Sequence, residues 1–279
     1  MRALFWNIRG FGHDGRRRQL VEYMRDEHID IVAVQETMRC DFSLPELDRL
    51  RSHLFAWHWL PSSGSAGHSG GILLGVKDAT FEVGSMDRGE FFVSMELFER
   101  SLNFKWEIII VYGPADHSRS AAFLEELHRK ISAASLPVVV GGDFNLLCRV
   151  GDKSSGTVNR RLINSFRAAL NVLEVDELRL HGRRFTWAST CHQQTQTKID
   201  HVFCTTDWSL LFPQCHLRAA STSISDHCAM ILTGQVSQSS YKGFRFENYW
   251  LKIRDFREAV IDSWQAPVTH SDAMWRLNF

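Results

Sequence analysis

The 279 residues of this chain are enough to bury the core of one large α/β domain, or of one domain with an appendage. Hydrophobic residues make up 44% and charged residues 23% of the sequence, the ordinary proportions of a soluble globular protein. Lys plus Arg and Asp plus Glu both number 32, which argues against a tight, non-specific nucleic-acid binder but not against an enzyme that gathers charge locally.

Neither the cysteines nor the hydrophobic runs indicate secretion or a membrane. No pair of cysteines has the CxxC spacing, and no cysteine pairs with a histidine as CxxH, which disfavours a zinc site. A chain of this length also has no need of a disulfide framework, so we expect reduced thiols. No run has the length of a signal h-region or of a membrane span, and this predicts an intracellular protein.

Strands and helices alternate in the first half of the chain. Residues 3–7 and 29–35 are rich in β-branched and aromatic side chains and predict buried strands, with a basic helix over 16–28 between them. The further predicted elements are a flexible turn over 9–12, a short helix over 45–54, a Gly/Ser-rich loop over 62–71 and a strand over 72–76.

The second half adds adjacent strand pairs to this alternation. The predicted strands cover 91–97, 104–112, 136–140, 185–187, 199–204 and 228–232, and the predicted helices contain residues 123–131 and 160–170. Because strand pairs and helices occur together, the pattern favours mixed sheets covered by helices over a pure βαβ fold.

The composition changes near residue 234. Residues 235–243 are polar without an apolar period, as in a linker, and residues 247–264 predict an amphipathic helix with most of its aromatic and aliphatic side chains on one side. We therefore predict an enzyme domain over 1–234 and a linker with a helical tail over 235–279.

Polar residues follow several of the predicted strands. The most informative is the motif GGDFN (141–145), in which we expect the two glycines to end a buried strand and present Asp143 and Asn145 at its tip. Taken singly, each such residue is better explained by a structural role: Asp143 or Asp226 as a cap, Glu36 as a surface group, and Trp187 as a core residue rather than a wall of the substrate cleft. Agreement among several strand tips favours a site.

Eight short motifs occur in one order along the chain: WNIRG (6–10), QE (35–36), SGGI (69–72), YGP (112–114), GGDFN (141–145), FTW (185–187), KID (198–200) and SDH (225–227). On these motifs the chain resembles the exonuclease-endonuclease-phosphatase superfamily, and most of all the endonuclease domain of plant LINE-type non-LTR retrotransposons. The segment FRFENYWL (244–251) resembles the connector that leads toward reverse transcriptase in those elements. The resemblance implies an α/β (α+β) fold, a four-layer α/β sandwich of two packed mixed β-sheets flanked by helices.

The residue types at these tips suit metal-assisted phosphodiester hydrolysis. Mg²⁺ prefers oxygen ligands, commonly one or two carboxylates with several waters, and Mn²⁺ can substitute for it. Glu36 is the predicted first ligand. Asn7 and Asp226 are predicted to lie beside it as direct or water-mediated ligands, provided that the strand tips converge.

The remaining tip residues are predicted to act on the water and the phosphate. Asp143 would orient and deprotonate the attacking water, and Asn145 would fix that water or the phosphate. His227, held by Asp200, would donate to a phosphate oxygen, and Tyr112 offers a phenol to the same group. The general base stays open at this point, because a buried Asp and a neutral His can both serve.

Three arginine pairs are candidates for contacts with DNA phosphates. They are Arg16 and Arg17, Arg160 and Arg161, and Arg183 and Arg184. Each pair lies in a predicted loop or first helical turn, where a phosphate contact and an ordinary solvated face are equally good explanations.

The leading function is a Mg²⁺-dependent DNA endonuclease that nicks one strand and leaves a 3′-hydroxyl and a 5′-phosphate. Its expected partners are DNA and a reverse transcriptase domain that is not in this sequence, and activity on chromosomal DNA would place it in the nucleus. The alternatives are a phosphatase or phosphodiesterase of the same fold acting on another phosphoester, and a catalytically silent retroelement fragment.

Overall fold

The computed structural model describes residues 1–50, 54–63, 70–189, 195–222, 224–235 and 256–265. The chain divides into two compact units, Met1–Ser237 and Gln238–Phe279, and in the second unit one helix, Phe256–Gln265, is described. The rest of the predicted tail helix and nearly all of the predicted linker lie outside the described residues. No helix in the described part is both long and apolar enough to cross a membrane.

Two large mixed sheets form the first unit. The strands are β1 (Arg2–Asn7), β2 (Ile31–Gln35), β3 (Phe55–Leu60), β4 (Ile72–Lys77), β5 (Phe81–Arg88), β6 (Phe92–Glu99), β7 (Phe104–Tyr112), β8 (Val138–Asp143), β9 (Val175–Glu177), β10 (Leu180–His181), β11 (Trp187–Ala188), β12 (Gln196–Thr197), β13 (Asp200–Thr205), β14 (His216–Ala220) and β15 (Ala229–Thr233). The first sheet has the order β10-β14-β15-β1-β2-β4-β3 and the second the order β5-β6-β7-β8-β13-β9. Strands β11 and β12 form a separate pair.

Helices cover the outer face of each sheet. They are α1 (Asp14–Asp26), α2 (Leu44–Asp48), α3 (Ser120–Ser132) and α4 (Arg160–Val172), whereas α5 (Thr206–Leu211) inserts Trp208 into the core between the sheets. The helix of the second unit is α6 (Phe256–Gln265). Leu20 of α1 and Leu47 of α2 pack on the outer face of the first sheet, whereas Phe123 of α3 and Phe166 of α4 pack on the outer face of the second. The predicted four-layer sandwich is confirmed.

The inner faces of the two sheets meet in a continuous apolar core. Phe5 of β1 and Ile31 of β2 belong to the same buried cluster as Ile108 of β7, Val139 of β8 and Val202 of β13. These side chains occupy alternate positions along each strand. The positions between them face the helices and are also apolar, so the sequences of the central strands are almost unbroken apolar runs. The core fixes the two sheets against each other directly beneath the strand tips.

The glycines of GGDFN lie inside β8, so the prediction that they end the strand is wrong. A Cβ on Gly141 would stand 2.6 Å from the Phe5 ring, and one on Gly142 would stand 2.2 Å from the Val111 carbonyl oxygen. Gly142 also has a φ of +138°, a backbone conformation that glycine adopts at little cost. Gly141 therefore allows close approach of the first sheet and Gly142 close approach of the neighbouring strand β7, and the chain turns at Asn145, whose φ is +52°.

Several elements differ from the sequence predictions. Strand β3 (Phe55–Leu60) was not predicted, although Phe55, Trp57 and Trp59 stand at alternate positions, and in the structure all six of its side chains are half-buried. The helix predicted over 45–54 is only the five residues of α2, and residues 51–53 lie outside the described part. In the FTW segment the strand begins at Trp187, and the Thr186 carbonyl accepts from the N–H of Cys228, the residue after the SDH segment.

A cluster of charged side chains links β13 to β9. His201 Nδ1 bonds Glu177 Oε1 at 2.8 Å, and the same carboxylate accepts from Lys198 and Arg149. Burial disfavours a charged imidazole, but Cys148 and Glu177 raise the pKa of His201 to about 10. Cys148, Glu177 and His201 lie within metal-ligand distance of one another. Because both Glu177 oxygens already bond cationic side chains, we interpret the group as an ion cluster.

We expect Glu177→Gln to lower the free energy of unfolding by about 3 kcal/mol, because removing one partner leaves buried cations uncompensated. Urea denaturation at neutral pH measures this, with Asp176→Asn as the control because Asp176 is exposed on the same short strand. Equal midpoints for Glu177→Gln and the control would show that the cluster adds nothing to stability.

Candidate active site

The tips of five strands meet at one edge of the sandwich. Parallel pairing of β1 with β2 sets Asn7 opposite Gln35, and parallel pairing of β7 with β8 sets Tyr112 opposite Asp143. Strand β13 runs antiparallel to β8 and begins at Asp200, which therefore also lies opposite Asp143. The predicted convergence of the motifs thus follows from sheet register.

A cavity of about 750 Å³ opens over these tips. Its lining includes most of the predicted site residues: Glu36, Tyr112, Asp143, Asn145, Asp226 and His227, together with Arg9 and Trp187. Asn7 and Asp200 are fully buried just beneath this lining. The structure therefore brings together all eight predicted catalytic and metal-binding residues.

Asn7 bridges two carboxylates. Its Nδ2 donates to Glu36 Oε2 at 3.0 Å and to Asp143 Oδ2 at 2.9 Å, while its Oδ1 accepts from the Arg9 N–H at 3.0 Å. Glu36 directly follows β2 in a left-handed conformation, with φ +53°, which is uncommon for a residue other than glycine. In this arrangement Asn7 orients Glu36 and Asp143 through its amide nitrogen.

Asp143 is held for proton transfer. Its Oδ1 accepts from the Asn145 N–H at 2.9 Å, and the Asn145 side chain is fixed in turn by donation to the Gly113 carbonyl at 2.9 Å. Burial and the charge of Asp200 raise the pKa of Asp143 to about 7, against the opposing effect of His227. A carboxyl with this pKa is suited to general-base catalysis near neutrality.

His227 and Asp200 form a buried pair. His227 Nδ1 bonds Asp200 Oδ2 at 2.9 Å, which leaves Nε2 facing Asp143 Oδ2 at 3.9 Å. Burial disfavours the charged imidazole, but the charge and hydrogen bond of Asp200, with smaller contributions from Asp143 and Asp226, raise the pKa of His227 to about 9. The imidazole is therefore protonated at neutral pH and can donate through Nε2.

Tyr112 keeps its proton over the physiological range. Burial, with the negative charges of Glu36 and Asp143, raises the pKa of the Tyr112 phenol far above its ordinary value. A neutral phenol at the end of β7 offers the cavity a hydrogen-bond donor.

Asp226 closes the ring of acidic groups. Its Oδ2 accepts from Trp187 Nε1 at 2.9 Å and from Arg9 Nη1. Its Oδ1 is buried and has no hydrogen-bond partner among the described residues. Just before it, Ser225 Oγ donates to the Asn7 carbonyl at 2.9 Å and ties this loop to β1.

The donor set fits a hard divalent cation. An orphaned buried oxygen on Asp226 and the Glu36 carboxylate are ligands of the kind that Mg²⁺ takes. Asp143, Asp200 and His227 also lie within metal-ligand distance of one another, but Asp200 and His227 are already bonded together. Glu36 and Asp226 are thus the better candidates to hold a metal, with Asn7 ordering the carboxylate beside it.

Arg9 and Trp187 line the cavity but were not among the catalytic or metal-binding residues predicted from the sequence. Arg9 falls in the turn predicted over residues 9–12. The sequence indicates a role in the site only through its place in WNIRG, two residues after Asn7. Trp187 fits a core residue by composition, whereas in the structure it is half-buried, lines the cavity and donates to Asp226.

The predicted DNA-binding arginines have different surroundings. Arg16 donates to the carbonyls of Ile224 and Arg9, and Arg17 to those of Phe11 and Gly12, so both hold loops in place. Arg160 and Arg161 are exposed at the start of α4, next to the cavity residue Asn159. Arg183 and Arg184 line a smaller cavity of about 300 Å³ that shares Trp187 and Asp226 with the large one.

Comparison with solved structures finds the same fold in enzymes acting on several substrates. The endonuclease domain of TRAS1, a telomere-specific non-LTR retrotransposon, aligns with a TM-score of 0.63 and 16% identity over 85% of this chain and 99% of that chain. The AP endonuclease LMAP from Leishmania major aligns with 0.60 and 16% over 83% and 86%. A mannosyl-6-phosphatase from Bacteroides thetaiotaomicron aligns with 0.56 and 12% over 84% and 98%.

At these identities the structural likeness establishes the fold and nothing finer. Comparison with curated protein sequences gives no match. The family model described as the Endonuclease/Exonuclease/phosphatase family, however, matches residues 4–227, a span that contains every predicted site residue. The resemblance to this superfamily is confirmed, and the chain belongs to the endonuclease/exonuclease/phosphatase family of hydrolytic enzymes.

Proposed function

We propose that this protein is a Mg²⁺-dependent DNA endonuclease that nicks one strand and leaves a 3′-hydroxyl and a 5′-phosphate. The observation that carries the proposal is that Glu36, Asp143, Asp226 and His227 line one cavity. The pKa of Asp143 is raised to about 7 and that of His227 to about 9. Two groups with separated pKa values can divide base and donor roles between them.

The residues divide the reaction as follows. Asp143, fixed by Asn7 and Asn145, takes the proton of the attacking water. The water oxygen bonds to phosphorus as the bond from phosphorus to the 3′-oxygen breaks, and the departing 3′-oxygen takes a proton from solvent. Protonated His227, oriented by Asp200, donates from Nε2 to a phosphate oxygen, where charge develops in the transition state. Glu36 and Asp226 would hold the metal, which polarises the phosphate as a Lewis acid when bound.

The preference for DNA is supported by two of the similar folds, a retrotransposon endonuclease domain and an AP endonuclease. A retroelement origin, a reverse transcriptase as partner and action in the nucleus belong to the same proposal. The third similar structure, a mannosyl-6-phosphatase, represents the competing reaction class, since its name identifies a phosphomonoester substrate.

The test is nicking of supercoiled plasmid with Mg²⁺, with Mn²⁺ and with EDTA. We expect conversion to open circle with either metal and none with EDTA. Sealing of the product by DNA ligase alone then reports a 3′-hydroxyl next to a 5′-phosphate. A folded sample that leaves the plasmid intact but hydrolyses a phosphomonoester would favour the phosphatase alternative, and a sample inactive on both would favour a silent fragment.

The slope of log K for DNA binding against log salt concentration should become shallower by about two units in the double variant Arg160→Ala, Arg161→Ala. The reason is that each arginine that no longer neutralises a phosphate removes about one unit. Both side chains are exposed beside the cavity, so their removal should not disturb packing. Fluorescence anisotropy of a labelled duplex in EDTA gives the slope. If the slope stays at the wild-type value, these arginines form only a solvated face.

A further inference from the structure

Arg9 places a fixed positive charge on the acidic wall of the cavity. Its side chain is 49% exposed and is ion-paired through Nη1 with Asp226, whose side chain is 7% exposed. Among the described residues that line the cavity, only Arg9 and Lys153 carry a permanent positive charge. Lys153 Nζ donates to the Thr157 carbonyl at 2.9 Å, whereas Arg9 is the one of the two that forms an ion pair with a carboxylate of the lining.

The backbone holds Arg9 in place at some conformational cost. Its φ is +51°, in the left-handed region that arginine seldom adopts. The conformation is fixed from both sides: the Arg9 N–H donates to Asn7 Oδ1 at 3.0 Å, and the Arg9 carbonyl accepts from Arg16. The next N–H, that of Gly10, donates to the Glu36 carbonyl at 2.7 Å. Strain retained at a cavity wall points to a functional constraint.

The charge balance of the cavity calls for more than one cation. Glu36, Asp143, Asp200 and Asp226 all lie within or beneath the lining that a phosphodiester anion would approach. A divalent ion at Glu36 and Asp226 would offset part of this charge. The guanidinium is also the side chain whose planar donors best match phosphate oxygens.

We propose that Arg9 supplies a further positive charge to this centre, in addition to the metal and to protonated His227. It neutralises Asp226 in the free protein, and in the complex with DNA its guanidinium binds a non-bridging oxygen of the scissile phosphate. The inference rests on the proposed function and adds a phosphate-binding residue to it. It predicts two effects of opposite sign when Arg9 is removed: divalent cations bind more tightly because Asp226 is released, and DNA binds more weakly.

The variants are chosen so that folding is preserved. Asparagine adopts positive φ more readily than most residues, so Arg9→Asn keeps the backbone, and Arg9→Lys restores a positive charge without the planar fork. Arg100→Asn is the matched control, because Arg100 is 51% exposed and paired with exposed Glu82 at the turn before β7, the strand end opposite the cavity.

The proposal can be tested by two measurements that do not depend on DNA cleavage. Electron paramagnetic resonance of free Mn²⁺ measures metal affinity without DNA, and we expect about tenfold tighter binding by Arg9→Asn than by wild type or Arg100→Asn. Anisotropy of a labelled DNA duplex in EDTA measures the salt slope, which we expect to fall by about one unit in Arg9→Asn and to recover in Arg9→Lys.

The outcomes separate this inference from the endonuclease proposal. If Arg9→Asn changes neither the Mn²⁺ affinity nor the salt slope of DNA binding, the proposed role of Arg9 is wrong, whether or not the wild type nicks plasmid. Tighter Mn²⁺ binding with an unchanged slope would reject the phosphate contact. Both changes in a protein that nicks no plasmid would support Arg9 and refute the endonuclease.

Discussion

Asp143→Asn should reduce plasmid nicking by about 10³-fold while leaving the protein folded. Asparagine has the same shape as aspartate, and its one oxygen can still accept from Asn7 Nδ2, which lies 2.9 Å from Asp143 Oδ2, at the loss of the hydrogen bond from the Asn145 N–H to Oδ1. It cannot, however, take a proton from water. The chemical step thus loses its base while the geometry of the neighbouring residues is kept, and initial rates of open-circle formation at saturating Mg²⁺ measure the loss.

The same substitution should not lower thermal stability. Burial raises the pKa of Asp143 to about 7 in the folded protein, above its ordinary value near 4, so the ionised carboxylate disfavours folding at pH 8. A neutral amide removes that cost, and the melting temperature of Asp143→Asn should equal or exceed that of the wild type. Lower stability together with lost activity would mean that Asp143 is structural.

Asp207→Asn serves as the matched control. Asp207 is exposed in the first turn of α5, just beyond the end of β13 that lies away from Asp200. It should change neither nicking nor melting. Nicking by Asp143→Asn at the rate of this control would contradict the assignment of the base.

The site was predictable because its residues stand at strand ends. Asn7, Glu36 and Asp143 directly follow or end buried strands that the apolar runs reveal, and parallel register then brings the tips of neighbouring strands to one edge. The motif order in the sequence carried the remaining information, since it tied distant segments such as SDH to the same edge.

The features that were missed depend on contacts between distant segments. Arg9 has a role only because Asp226, 217 residues away, lies within reach of its guanidinium. Gly141 is required by the Phe5 ring on the opposite sheet and Gly142 by the Val111 carbonyl on β7, and no local pattern within β8 indicates either contact. Strand β3 has aromatic residues at alternate positions but burial that is uniform along its length, so periodicity could not separate it from a loop.

His227→Ala should also reduce nicking to near the detection limit, a loss of about 10⁴-fold, because it removes the donor that faces the phosphate. The ring is buried and bonded to Asp200, so the variant must be shown to fold by circular dichroism and by its Mn²⁺ affinity. His216→Ala is the matched control: His216 is exposed and pairs with Thr233, at the end of β15 away from His227. Robust nicking by His227→Ala would exclude His227 from the reaction.

The pH profile of the wild type decides which group is the base. If Asp143 is the base and protonated His227 the donor, activity should rise as pH passes about 7, where Asp143 loses its proton, and fall as pH passes about 9, where His227 loses its own. If neutral His227 were the base, activity would instead rise through about pH 9 and show no alkaline fall. Asp200→Asn removes the main charge that keeps His227 protonated and also a charge that raises the pKa of Asp143, so both limbs should move to lower pH. We therefore expect a bell-shaped curve with its maximum near pH 8, and a profile that only rises to pH 10 would transfer the base to His227.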